Sequence, residues 1–220
     1  MKTLVVFILT FSSIIGYAQK DNTLYHPDAK KILDKVSAKY NAYKAMQVDV
    51  SLNTINKDAD INTTTNMNIT LSGDKYKITV DKDLIMYCDG ESIWNISVTD
   101  NEGTQEEYDI SQSNEEITPS NIWTIYEKGF QYIINAEMTK GTITSVEIDL
   151  APENKDLDYF KIRMTVNKKT NEIISMRVFA KDGTHYVYKL DNFIANPKVD
   201  DNNFKFIQAN HPDVEMEDMR

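Results

Sequence analysis

The chain is short of most of what catalysis draws on. Its 220 residues hold one cysteine, three histidines and seven glycines. Cys88 alone cannot make an internal disulfide, so stability has to come from packing and from strand ladders. A lone cysteine in a strand reads first as a buried small hydrophobe and second as a nucleophile. His26, His185 and His211 stand apart, no two of them at metal-ligand spacing on one element, and the chain has no Gly-rich phosphate loop, nucleophile elbow or zinc motif. Seven glycines also leave little backbone for cradling phosphates. The neighbouring acids Glu106-Glu107 and Glu115-Glu116 point to opposite faces if they lie in strands, and are solvated surface if they lie in loops. The reading therefore nominates no catalytic residue, no metal site and no cofactor, and expects a protein that is not an enzyme. Basic residues are outnumbered 24 to 34, for a net charge of −10. That balance argues against nucleic acid as a partner and against adsorption to anionic lipid headgroups.

Long apolar runs are missing too, except at the start. Residues 1–18 begin with basic Lys2, continue through an apolar run over residues 4–15, and end with Gly16 and Ala18 where a signal peptidase needs small residues. A signal peptide cleaved before Gln19 is expected, with no cysteine following to carry a lipid anchor. No later run approaches the length of a membrane span. The expected mature protein is one domain over residues 19–220, soluble outside the cytoplasm.

What is present is periodicity. Ala29, Ile32, Leu33, Val36, Tyr40 and Tyr43 fall on one stripe of a helix over residues 26–43, with Pro27 and Asp28 suited to its start. From Met46 the period becomes two. Val48, Val50 and Leu52 alternate with polar neighbours, then Met67, Ile69 and Leu71, then Tyr76, Ile78 and Val80, as half-buried antiparallel strands do. Further strands are expected at 84–88, 92–98, 131–135, 142–150, 159–167, 173–180, 186–192 and 204–207. Ser72-Gly73-Asp74, Asp89-Gly90-Glu91, Asn171-Glu172 and Asp182-Gly183 supply the turns. About eleven strands suffice to close or nearly close a barrel. A short helical insert over residues 119–129 carries Trp123 and Tyr126.

Two helical segments are too few to cover such a sheet as an ordinary second layer, which leaves room for an apolar guest. Met67, Met86, Met164 and Met176 sit within strand patterns, either as ordinary core or as a pliable lining. The insert, flanked by Pro119 and Gly129, is either a movable cover or a fixed plug. The lining candidates are Val48, Val50, Ile69, Met86, Trp94 and Ile162, and the lid candidates are Ile122, Trp123 and Tyr126. Alternation does not say which face of each strand is inner.

Several stretches together resemble the LolA family of periplasmic lipoprotein carriers. They are Ile32-Leu33-Asp34-Lys35-Val36, Asp89-Gly90-Glu91-Ser92-Ile93-Trp94, the insert near residues 122–126, and the ending Phe204-Lys205-Phe206 through Pro212-Asp213-Val214-Glu215-Met216-Glu217-Asp218. The wording around Asn192-Phe193, Asn196-Pro197 and Met219-Arg220 is similar to versions from Bacteroidetes-type bacteria. The resemblance implies a mainly β, α+β fold: an incomplete antiparallel barrel of about eleven strands, with the N-terminal helix and the insert lidding a hydrophobic cavity. It implies a monomeric, non-enzymatic carrier in the periplasm. Such a carrier takes lipoprotein acyl chains from an inner-membrane ATP-driven release complex to an outer-membrane acceptor or the membrane itself. The family holds its lid with a strand arginine followed by proline. Leu71-Ser72-Gly73-Asp74-Lys75 has no arginine there, so the latch is either absent or replaced by Lys75 acting as a point charge. Three other readings stay open: a lipid or glycolipid binder of the same fold serving envelope maintenance or sensing, an interaction module packed solid, and an exported hydrolase whose residues converge from distant parts of the chain.

Overall fold

In the computed structural model of the protein, residues 24–108 and 117–220 are described. The expected leader and the Glu115-Glu116 pair lie outside them. Helix α1 (Pro27–Asn41) starts as the sequence reading expects, with Pro27 in the first turn where its missing N–H leaves no bond unmade, and with Asp28 beside it. Ala29, Leu33 and Val36 are fully buried and Tyr40 nearly so, while Ile32 and Tyr43 pack at the margin. The opposite face carries solvent-exposed Lys30–Asp34 and Lys31–Asp28 pairs, which add little stability.

Among the described residues twelve strands form one sheet: β1 (Met46–Asn56), β2 (Ile61–Ser72), β3 (Lys75–Val80), β4 (Leu84–Cys88), β5 (Ser92–Ser97), β6 (Glu102–Glu107), β7 (Phe130–Lys140), β8 (Ile143–Pro152), β9 (Tyr159–Asn167), β10 (Ile173–Ala180), β11 (His185–Ala195) and β12 (Glu215–Asp218). Their order is β12-β6-β5-β4-β3-β2-β1-β11-β10-β9-β8-β7. Two antiparallel meanders, β1 to β6 and β7 to β11, thus join where β1 pairs with β11, and β12 is added parallel to β6. Among the described residues β7 and β12 remain the two ends, so the barrel is open. One face of the sheet is apolar: Val146, Ile148 and Leu150 on β8 and Ile162, Met164 and Val166 on β9 are fully buried, as period-two alternation requires. Gly73, Gly90, Asn171 and Gly183 take positive φ in the four expected turns.

The mainly β fold and open barrel are as expected, but three local assignments change. Residues 204–207 are not a strand: Asp201–Phe204 is a single 3-10 turn capped by Asp200, and Phe204 is buried by long-range packing. The missed strands are β6 and β12. In the insert, the expected helix is a run of turns ending in one 3-10 turn, Ile125–Glu127. The C-terminal arm also covers the outer face of the first meander, where Val214, Phe206 and Met216 pack on Tyr87, Trp94 and Ile96. There the His211 ring stacks on Phe206, and its Nε2 lies 3.1 Å from the Tyr87 hydroxyl.

A roofed apolar cavity as the candidate functional site

The inner face of the barrel holds a cavity of about 220 Å³. Met46, Val48 and Val50 of β1, Met67, Ile69 and Leu71 of β2, and Ile78 of β3 form one wall. The register explains the wall: Val48 faces Ile69, Val50 faces Met67, and Ile69 faces Ile78, so cross-strand apolar pairs run unbroken over three strands. Ile173, Met176, Tyr188, Leu190 and Phe193 of β10 and β11 form the other. The roof consists of Tyr40 from α1 and Ile117, Thr118, Pro119, Ile122 and Trp123 from the insert.

Side-chain bonds from α1 tether this roof. The Trp123 indole stacks on Tyr40, with ring centroids 5.5 Å apart, and its Nε1–H donates to Asn41 Oδ1 at 2.8 Å. The Tyr126 hydroxyl donates to Asp34 Oδ1 at 2.9 Å, and Ser37 Oγ donates to Glu127 Oε1 at 3.1 Å. Burial first, and then the carboxylate of Asp34, push the Tyr126 hydroxyl above its usual range. The hydrogen bond from Lys30, with help from Tyr126, lowers Asp34. At its C-terminal end α1 is fastened to the turn between β9 and β10. Lys39 Nζ donates to Thr170 O and to Glu172 Oε1, which holds the Glu172 carboxyl below its usual range. Tyr40 accepts a hydrogen bond from the Ile173 N–H at 3.1 Å, and burial pushes its own hydroxyl up to about 12.

Val48, Val50, Ile69, Ile122 and Trp123 all border the cavity. Met86 and Ile162 lie in the same core but off the cavity wall, and Tyr126 lies in the core beneath α1. Trp94 is on the opposite face of the sheet from the cavity. Its neighbour Ile93 turns toward the main core, while Trp94 packs outward under the C-terminal arm, because in β5 both faces are covered and both carry apolar residues. Lys75 does not stand in for the missing arginine, since its Nζ pairs with Asp201 Oδ1 at 2.6 Å and holds the C-terminal arm. The bonds that hold the roof come instead from Asp34, Ser37 and Asn41, polar residues beside the apolar stripe of α1. Sequence reasoning passed over them because helix polar faces are ordinarily solvated. Of the four strand methionines, Met67 and Met176 border the cavity, whereas Met86 and Met164 are core. Cys88 is fully buried, and burial raises its thiol, as suits a small hydrophobe. Glu106 and Glu107 are exposed on β6, and among the described residues no group of three or more His, Cys, Asp or Glu side chains could hold a metal ion.

Residues 129–207 match the model of the family described as outer membrane lipoprotein carrier protein LolA. The match spans the second meander; of the stretches that carry the resemblance it takes in Phe204-Lys205-Phe206 and leaves out residues 32–36, 89–94, 122–126 and 212–218. No curated protein sequence matches the chain. Among solved structures, an uncharacterized conserved protein from Thermus thermophilus is 9% identical over 87% of this chain and 99% of its own, with a TM-score of 0.57. A LolA superfamily protein from Nitrosomonas europaea is 12% identical over 81% of this chain and 97% of its own (TM-score 0.43). The Mycobacterium tuberculosis lipoprotein LppX is 10% identical over 78% and 99% (TM-score 0.45). The protein thus has a LolA-like open-barrel fold, and its residues 129–207 carry the match to the LolA family of outer membrane lipoprotein carriers.

Proposed function

We propose that the protein is a periplasmic carrier that encloses lipoprotein acyl chains in this cavity and shuttles them from the inner to the outer membrane. The observation that carries the reading is an apolar cavity of about 220 Å³ under a roof tethered by side-chain hydrogen bonds. An acyl chain of roughly fifteen methylenes exposed to water costs on the order of 12 kcal/mol, at about 0.8 kcal/mol each, so unaided passage through an aqueous compartment is very slow. Enclosure recovers most of that.

The cavity is smaller than the roughly 300–1,000 Å³ of common ligand pockets, so cargo has to lift the roof to be housed. The free energy of opening is subtracted from binding, which biases the carrier toward release at its destination. In this reading residues 1–18 are a cleaved signal peptide, and residues 19–220 act as one monomeric domain. An inner-membrane ATP-driven release complex loads the carrier, and an outer-membrane acceptor or the membrane itself unloads it. No step asks for catalysis or a cofactor.

A second reading, a lipid or glycolipid binder without lipoprotein cargo, draws support from the same volume, which suits one tail better than several. Native mass spectrometry of protein purified from its own envelope separates the two. Bound lipoprotein supports the carrier, and bound free lipid with no lipoprotein supports the binder.

A further inference from the structure

The geometry points to Phe193 as a gate between the cavity and a second cleft, and to that cleft as the seat for the polar end of a bound acyl ester. The inference rests on the acyl-binding reading above. The cleft, about 180 Å³, is bordered by Asn167, Glu172, Ile174, Asp191 and Asn192 and by four residues it shares with the cavity: Tyr40, Ile173, Leu190 and Phe193. Those four are the partition between an apolar chamber and a polar-rimmed one.

Phe193 is in the partition because of a β-bulge. Along β11, Tyr188 and Leu190 face the cavity, so simple alternation would bring Asn192 there next. The β1–β11 register shifts at this point, from Asp49 opposite Asp191 to Gln47 opposite Ile194. Asn192 takes φ +48, a left-handed conformation that asparagine tolerates better than most residues, and its Nδ2 donates to Asp49 Oδ2 at 2.9 Å. The inserted residue re-aims the chain so that Phe193 points inward, a use to which bulges beside binding sites are often put.

Of the four partition residues, Phe193 is the one in the bulge, where the β1–β11 register passes from Asp191 to Ile194 and leaves it out. Tyr40 is tied to the Ile173 backbone through its hydroxyl, and Ile173 and Leu190 are held in strand ladders. Phe193 is half-buried at the margin of the core, its ring against Tyr40 at 5.7 Å and Tyr43 at 5.5 Å between centroids. Rotation of this one ring joins the two spaces. A tail then lies among the aliphatic residues of β1 to β3. Its ester oxygens, which only accept, reach the side-chain amide N–H groups of Asn167 and Asn192, which replace the water they lose.

Neutral monoacylglycerols carrying a diazirine either beside the ester or at the tail end test the gate. The ester-end probe is expected to label residues 167–174 and the tail-end probe residues 67–78. Phe193→Trp, which enlarges the plug, lowers ester-end labelling of the cleft several-fold, whereas Phe193→Leu preserves or raises it. Labelling of residues 117–123 by the ester-end probe, unchanged in both variants, would overturn the gate while leaving acyl binding intact. Failure of both probes to label any cavity residue in the wild-type protein would remove the acyl-binding reading and the gate together.

Discussion

Trp123 and Asn41 hold the roof on the barrel from opposite sides of one hydrogen bond: the indole Nε1–H reaches Asn41 Oδ1 at 2.8 Å while the ring lies on Tyr40. Asn41→Leu removes the acceptor without touching the cavity wall. About 1 kcal/mol of stability should be lost, the usual net value of such a bond. On the proposal that cargo lifts the roof, the same change should tighten acyl binding by up to about fivefold. Chemical denaturation and titration with a fluorescent fatty acid measure the two effects. Weaker binding in step with lower stability would contradict a roof that competes with cargo.

The Tyr126–Asp34 bond predicts a plateau in pH. Tyr126 is raised in the folded state, so its contribution is complete below its ordinary value near 10 and is lost as pH climbs beyond it. Asp34 is lowered, so its contribution is complete above its ordinary value near 4 and is lost as pH falls. Fluorescence of Trp123, recorded in a Trp94→Phe background, should stay constant between these limits and change on both sides. Tyr126→Phe should weaken the alkaline change.

The two faces of the sheet should respond differently to substitution. Ile69→Asn puts an amide into the cavity wall and should lower acyl affinity by about tenfold, the equivalent of ~1.4 kcal/mol. Trp94→Leu, in the outer cluster, should cost about 2 kcal/mol of stability and leave acyl affinity where it was. Equal loss of affinity in both, among molecules that remain folded, would mean that the cavity is not the binding site.

At Gly103 a Cβ would collide with Met216 Sδ, and Asn95 O would stand 3.2 Å away. Gly103→Val should therefore push the Met216 side chain aside and loosen β12 on β6. Hydrogen exchange at residues 215–218 should accelerate by more than at any other strand, while β1 to β3 keep their protection.

Much of the fold was legible because the residues that build it follow one period. The stripe of α1 and the alternation of β1, β3 and β8 to β10 need no tertiary knowledge to read. Strand β6, Glu-Gly-Thr-Gln-Glu-Glu, has no such alternation: it is a strand because β5 and β12 pair with it, and its buried Gly103 exists to let Met216 approach. Trp94 misled for a related reason. Alternation fixes the phase of a strand but not which phase is inner, and the C-terminal arm makes the outer phase of β5 apolar as well. Phe193 was invisible as a cavity residue because a bulge changes the phase within β11. The tethers at Asp34, Ser37 and Asn41 look like any polar helix face until the insert is placed against them.

Photocrosslinking in cells tests the central claim most directly. A photoreactive residue replacing Trp123 should capture lipoprotein, and the same residue replacing Trp94, on the opposite face, should not. Capture at position 94 with none at 123, or no lipoprotein at either, would contradict a carrier that shelters acyl chains beneath this roof.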